Sequence, residues 1–558
     1  MNVIKTLVFT STSISLLAIT LLATGSGTAQ RVPSSSSTFQ SAGSRTTTVG
    51  KRFNPSSLPN SVVESSSRSP IPSRGLENPN IKTLKQQANT QRLTQSTAPS
   101  SSHQTQDQAR TGLAPLAATL NRSFDAIPYT GSFPSDSIMA TGPSDLVVAV
   151  NRKFRIYNKT GGQLLDSSLA SWFSNVLPQD QSNISVFDPW VIYDRDSGRF
   201  ILLALAKRNS DQFSRFLISV SDNNTASGNW CNWSLDAKVN GSTNTSNWAD
   251  YAKLGNNNNA IIISANMFSP FTSPSSFQYS KLRFLPKAAL YNTTCPGLSW
   301  WDIWDLRNAN DSKAFTIQPA HSYYGSNSDY LINTVSSGSG SQLTLWRATN
   351  SSNSNPEPTL TRTNTISVNS YSAPPDAQQP GSSTRIDTGD ARLLNAVWRG
   401  GALWATGSTS CTWSGDSATR SCLRTYKLNP TSGTLLDQDN FGASGFFYSY
   451  PAITADANNN AWLVFNRSSS TEYASIRHTA RRSTETSWQG SAQLRAGQGC
   501  YVKLDSADPP RNRWGDYNGI SWDPSTGRAW IFSQYAYGTS STCGNNEWRT
   551  AVGELSLP

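Results

Sequence analysis

Histidine is nearly missing from this chain: His103, His321 and His478 are the only three in 558 residues. Cysteine stops at six, with no Cys-x-x-Cys pair. Together these shortages exclude a thiolate or imidazole zinc centre. Glutamate is scarce in the later part of the chain, where Glu472, Glu485, Glu547 and Glu554 stand, and no spacing marks out the acid and nucleophile of a glycosidase. No Gly-x-Ser-x-Gly, His-Glu-x-x-His, P-loop or dinucleotide-binding fingerprint occurs. After residue 23 no apolar run is long enough to cross a bilayer.

What is present begins with an export signal. Residues 1–5 form a short basic head and residues 7–23 an apolar run diluted by Ser and Thr. Small residues at Gly27, Thr28 and Ala29 then suit cleavage before Gln30. Residues 1–29 are therefore expected to be a signal peptide, with an uncleaved anchor as the competing reading. No cysteine follows it, which argues against a lipoprotein. The mature chain is expected to be secreted, periplasmic or on the cell surface, with no transmembrane segment.

Residues 30–115 are rich in Ser, Thr, Gln and Pro, with few aromatics and no hydrophobic period. Such a segment buries too little apolar surface to offset its conformational entropy, so a disordered linker is expected. It holds ten Lys and Arg against three Asp and Glu, a net +7. Lys5 adds one, leaving +3 of the whole-chain +11 for residues 116–558. The basic balance belongs to the tail, which serves either as a solvated spacer or as a contact for anionic wall polymers or lipid headgroups. No nucleic-acid partner is expected.

An even set of cysteines in an exported chain points to disulfides. Cys411 and Cys422 flank a short Gly-Asp loop; by neighbourhood, Cys231 pairs with Cys295 and Cys500 with Cys543.

The architecture is legible in a repeat. Units of strand, polar turn and strand start at Asp145, Asp188, Asp250, Pro319, Asp390, Tyr450 and Asp516, separated by 43 to 71 residues. The last, in residues 513–536, turns at Asp-Pro-Ser-Thr-Gly between aromatic, alternating flanks. One such unit cannot bury both its faces, so a ring of sheets is the solution. The expected fold is an all-β propeller over residues 116–558, with seven four-stranded blades (six to eight being compatible). Residues 118–130 would close the ring beside residues 551–557. Two packed sandwiches are the alternative.

Five units open on Asp: Asp145, Asp188, Asp250, Asp390 and Asp516. If inner strands line the channel, these carboxylates gather at one mouth. They would bind a cation, calcium being the hard oxygen-seeking choice, or sugar hydroxyls. Alternatively each caps backbone N–H groups at its strand. Trp190, Tyr251 and Tyr517 beside them have the make-up of a carbohydrate site or of blade packing. Arg392 and Arg513 either meet an anionic ligand or pair with neighbouring Asp.

The segments SDLVVAVNRKFRIYNKTG, FDPWVIYDRDSGRFIL, SVSDNNTASGNW, WADYAKLG, RWGDYNGISWDP and NEWRTAVGEL resemble those of a group of exported bacterial β-propeller proteins of unsettled activity. The resemblance covers most of residues 120–558 and implies fold and export rather than a reaction. Residues 219–230 are distantly similar to the Asp-box turn of sialidase-like propellers, through Ser221, Asp222, Gly228 and Trp230. The sialidase arginine triad and Tyr–Glu pair have no counterpart. Three functions stay open: a monomeric binding module for a glycan or cell-surface polymer, a glycoside hydrolase or lyase using channel-mouth carboxylates, and a structural or protein-interaction module of the envelope.

Overall fold

A computed structural model describes residues 38–44, 47–58, 81–90, 102–107, 118–350, 357–507 and 509–557. The expected signal peptide lies outside the described residues, as does much of the segment 30–115.

The chain is all-β and arranged as a propeller. The first blade is an antiparallel meander of Ile138–Thr141, Asp145–Val150, Lys153–Asn158 and Gln163–Ser168. Five further sheets also begin on a well-formed inner strand: Ser185–Asp194, Trp248–Asn256, Leu393–Arg399, Phe446–Ala455 and Gly519–Trp522. Between the third and the fifth of the expected units lies a sheet whose inner strand is only Gln318–Pro319, followed by Asp329–Thr334, Ser339–Thr349 and Thr359–Ser372. The expectation of seven equal blades is thereby corrected to six regular blades and one reduced sheet. The reduction follows from Pro319, which cannot donate to a ladder.

Ring closure is made by the strand Thr119–Asp125, which pairs with Glu547–Ser556 in the register Ala551 to Asp125 and Ser556 to Thr119. The final blade also meets the first closely. A Cβ placed on Gly519 would stand 2.5 Å from the Met139 nitrogen, so only glycine permits this approach. Ser521 Oγ accepts from the Thr141 N–H at 3.1 Å across the same seam.

Middle strands read as continuous apolar runs because neighbouring sheets cover both of their faces. Residues 200–206, Phe-Ile-Leu-Leu-Ala-Leu-Ala, are all buried. The expected hairpin turn at 523–527 is present: Gly527 takes φ +69° and Ser525 donates its N–H to Asp523 Oδ1. All three cysteine pairs are bridged as the sequence implied.

The segment expected to be a disordered linker contributes structure in its described residues. Gln40–Gly43 pairs with Trp301–Trp304, Lys51–Phe53 with Trp230–Asp236, and Ser102–Gln106 lies parallel to Thr434–Gly442. Ile81–Thr90 is a helix. These short stretches pair despite the segment's polar composition, because a sheet edge holds a strand by main-chain hydrogen bonds, which need no apolar side chains.

Candidate functional site

The inner strands carry a shared irregularity. Ladder pairing breaks between Phe187 and Trp190, between Asp250 and Lys253, and between Ser449 and Ala452. The first bulged residue in each, Asp188, Tyr251 or Tyr450, has φ near +50°. Bulges of this kind re-aim side chains, and left-handed non-glycine residues cluster where function demands them. Asp188 therefore corresponds to Tyr251 and Tyr450, and Asp250 stands one residue earlier.

Three carboxylates gather at this level. Asp136, which the sequence reading missed, accepts from Asn151 Nδ2 at 2.8 Å and from the Asp516 N–H at 2.9 Å. Asn151 Oδ1 in turn accepts from the Asp188 N–H, and Asp188 Oδ2 from the Tyr251 N–H at 3.1 Å. Arg513 donates to Asp516 at 2.8 Å. Each carboxylate is at most 5 % exposed.

Lys253 stands inside the cluster. Its Nζ lies 3.6 Å from the Tyr517 ring centroid, 3.8 Å from Tyr251 and 4.2 Å from Trp190, and it has no hydrogen-bond partner among the described residues. Tyr251 and Tyr517 donate their hydroxyls to the carbonyls of Asp516 and Pro189, which fixes the cage. Burial pushes the Lys253 ammonium down to about 7, against the pull of Asp188, Asp136 and Asp516. Burial, aided by the Asp516 charge, pushes the Asp136 carboxyl up to about 7. Asp188 rises well above the usual range for the same first reason, with Asp250 adding to it.

Of the residues named from sequence, Asp188, Asp516, Trp190, Tyr251, Tyr517 and Arg513 meet in this hub. Arg392 joins it through the Tyr251 ring at 4.7 Å while holding Asp390 by two bonds, 2.7 and 2.6 Å. Asp250 sits beside Asp188. Asp145 is elsewhere: it lies on the second strand of its blade and accepts from the Ala226 N–H at 2.6 Å. The phase error came from Ile138–Thr141, an inner strand of four residues that precedes the obvious hairpin; Asp136 lies two residues before it. Asp145, Asp188 and Asp136 each accept a backbone N–H. Among the described residues no group of three or more His, Cys, Asp or Glu is arranged to hold a metal ion.

A cavity of about 320 Å³ opens beside Asp390, lined by Asp376, Thr384, Arg385, Asp387, Arg511 and Asn512 together with Lys85 of the helix Ile81–Thr90. Lys85 Nζ donates to Asp376 Oδ1 at 2.6 Å and also to Asp387. Asp387 is tied to the hub side by its carbonyl, which accepts from Tyr450 Oη at 3.0 Å. Burial raises the Asp376 carboxyl although Lys85 opposes it. No sequence pattern announces this pairing.

No protein-family model and no curated protein matches the chain. Among solved structures, a Dyadobacter fermentans protein of unknown function is 10% identical, over 69% of this chain and 98% of its own, with a TM-score of 0.35. The Penicillium chrysogenum α-L-arabinanase, complexed with arabinobiose, is 10% identical, over 78% and 98%, with a TM-score of 0.32. A GH43 endo-arabinanase from Bacillus licheniformis is 13% identical, over 54% and 97%, at 0.26.

Proposed function

We propose that this chain is an exported, monomeric propeller binding module that takes a glycan or cell-surface polymer at the cavity beside Asp390. The observation that carries this reading is the ammonium of Lys85 seated between Asp376 and Asp387 in a cavity of about 320 Å³. That volume is at the small end of ligand sites, roughly 300–1,000 Å³. Carboxylates that accept from an ammonium also accept from hydroxyls, and Arg385 and Asn512 supply donors on the same wall. The ligand that matches best bears amino as well as hydroxyl groups, as amino-sugar polymers do. Three disulfides favour an oxidising compartment.

The test is a glycan array probed with the full chain and with Asp387→Asn. Binding to amino-sugar oligomers, weakened about tenfold in the variant, is expected. An array without a single positive would remove the glycan reading and leave the structural module.

A hydrolytic reading has one observation in its favour: the raised Asp376 carboxyl faces Asp387 across a single ammonium. The hub carboxylates do not serve it, since Asp136 is 1 % exposed and both its oxygens are engaged. Turnover of polysaccharides or aryl glycosides, with and without calcium, abolished by Asp376→Asn in a folded protein, would favour the enzyme.

A further inference from the structure

At the ends of the inner strands, away from the aspartate hub, the charge is of the other sign. Arg195 follows Ser185–Asp194, Arg399 ends Leu393–Arg399, and Trp522 ends Gly519–Trp522. The Arg399 guanidinium carbon lies 3.7 Å from the Trp522 ring centroid and 4.7 Å from that of Tyr324. Arg195 stands 4.0 Å from Tyr324 and 5.8 Å from Trp522. Two guanidinium groups are thus stacked between the same pair of rings. Tyr323 anchors the floor, its hydroxyl accepting from the Trp522 N–H at 3.0 Å.

These donors lack acceptors. Arg399 Nε and Nη1, Arg195 Nη1 and Trp522 Nε1 are buried with no hydrogen-bond partner among the described residues. Arg399 is 1 % exposed. Other buried arginines behave differently: Arg283 pairs with Asp302, Arg392 with Asp390 and Arg513 with Asp516. Of the carboxylates near these two arginines, Asp196 is exposed and meets Arg195 through charge alone, and the others are committed elsewhere. Asp194 is bound to Lys287 and Tyr291, and Asp456 closes its own turn with Asn458 and Asn460. Burial pushes Arg399 down to about 10, and the Arg195 charge acts in the same direction.

Each buried donor left without an acceptor is destabilising, and two like charges side by side add to that. An oxyanion removes both penalties at once. We infer that this end of the channel is a carboxylate-binding site, in which Arg399 and Arg195 grip the two oxygens and Trp522 Nε1 adds a third donor. The guanidinium fork matches a planar two-oxygen anion, and the flat slot between Trp522 and Tyr324 holds it in plane. Tyr324, 38 % exposed and followed by Gly325, is the side chain that moves to admit it. The ligand class is a carboxylate-bearing small molecule or sugar acid. This site does not depend on the cavity beside Asp390.

The test is calorimetric titration of the full chain with D-galacturonate, with galactose and glucose 6-phosphate as comparisons. Galacturonate binds and galactose does not. Arg195→Gln, at a half-buried position, and Arg399→Lys, which keeps the charge and loses the fork, each weaken binding about tenfold or more. Melting curves verify that both variants are folded. Three outcomes would overturn the assignment: no heat from galacturonate, binding that survives both arginine substitutions, or preference for the phosphate.

Discussion

Lys85 and Asp376 stand 291 residues apart in the chain and 2.6 Å apart in space. The helix that carries Lys85 therefore occupies the cavity with a cation of the protein's own.

Replacing Lys85 by Met leaves the Asp376 and Asp387 carboxylates facing one another without a cation. The side chains are partly screened, at 12 % and 31 % exposure for Lys85 and Asp376, so the loss falls between surface and buried pairs, about 1–3 kcal/mol. A thermal melt lowered by a few degrees, with faster proteolysis after residue 81, is expected. An unchanged melt and unchanged cleavage would show that the helix is not held by this contact.

Lys253→Met isolates the hub charge. Without the ammonium, Asp136, already raised to about 7, holds its proton to higher pH. A folded pKa above the unfolded value means stability present at low pH and lost as pH rises through it. Removing the ammonium also lifts a burial cost that is greatest at low pH, so the variant should lose more stability than the parent between pH 5 and pH 8. Urea midpoints at the two pH values measure this; an equal loss at both would refute it.

His478 is fully buried, both ring nitrogens lack partners among the described residues, and burial lowers its pKa to about 4. The folded state binds fewer protons than the unfolded state between pH 6.5 and 4. Stability from this group is therefore complete above 6.5 and lost on acidification, by roughly 3 kcal/mol. Asp136 and Asp439, raised to about 7 and 6, work in the opposite sense, so only a difference isolates the imidazole. His478→Leu should lose less stability than the parent between pH 7 and pH 4, read from urea midpoints.

Ring closure makes a truncation pair informative. Removing residues through 126 deletes Thr119–Asp125 and leaves Glu547–Ser556 with an open edge, whereas removing residues through 117 keeps that pairing. The longer deletion should abolish the cooperative melt while the shorter one retains it. A cooperative melt in both would mean that the closing strand is dispensable.

The hairpins, the cysteine pairs and the closing strand were legible because each rests on local pattern or on proximity within the repeat. The hub was half legible. Aspartate marked the inner strands at Asp188 and Asp250, but Asp250 stands one residue ahead of the bulge in which Asp188 sits, and the short strand Ile138–Thr141 hid Asp136. Lys253 stands three residues after Asp250, yet nothing in a sequence distinguishes a caged lysine from a solvated one. The meeting of Lys85 with Asp376, and of Arg195 with Arg399, depends on contacts between distant segments, where composition carries no signal.

Three of the four described N-terminal strands also bear on how the molecule survives in a crowd. Gln40–Gly43, Lys51–Phe53 and Ser102–Gln106 each occupy the outer rim of a sheet that would otherwise present unpaired N–H and C=O groups. Such rims recruit neighbouring chains into growing aggregates. Clipping of the N-terminal segment by a protease would therefore bare these rims to neighbouring chains, even with every residue of the hub intact.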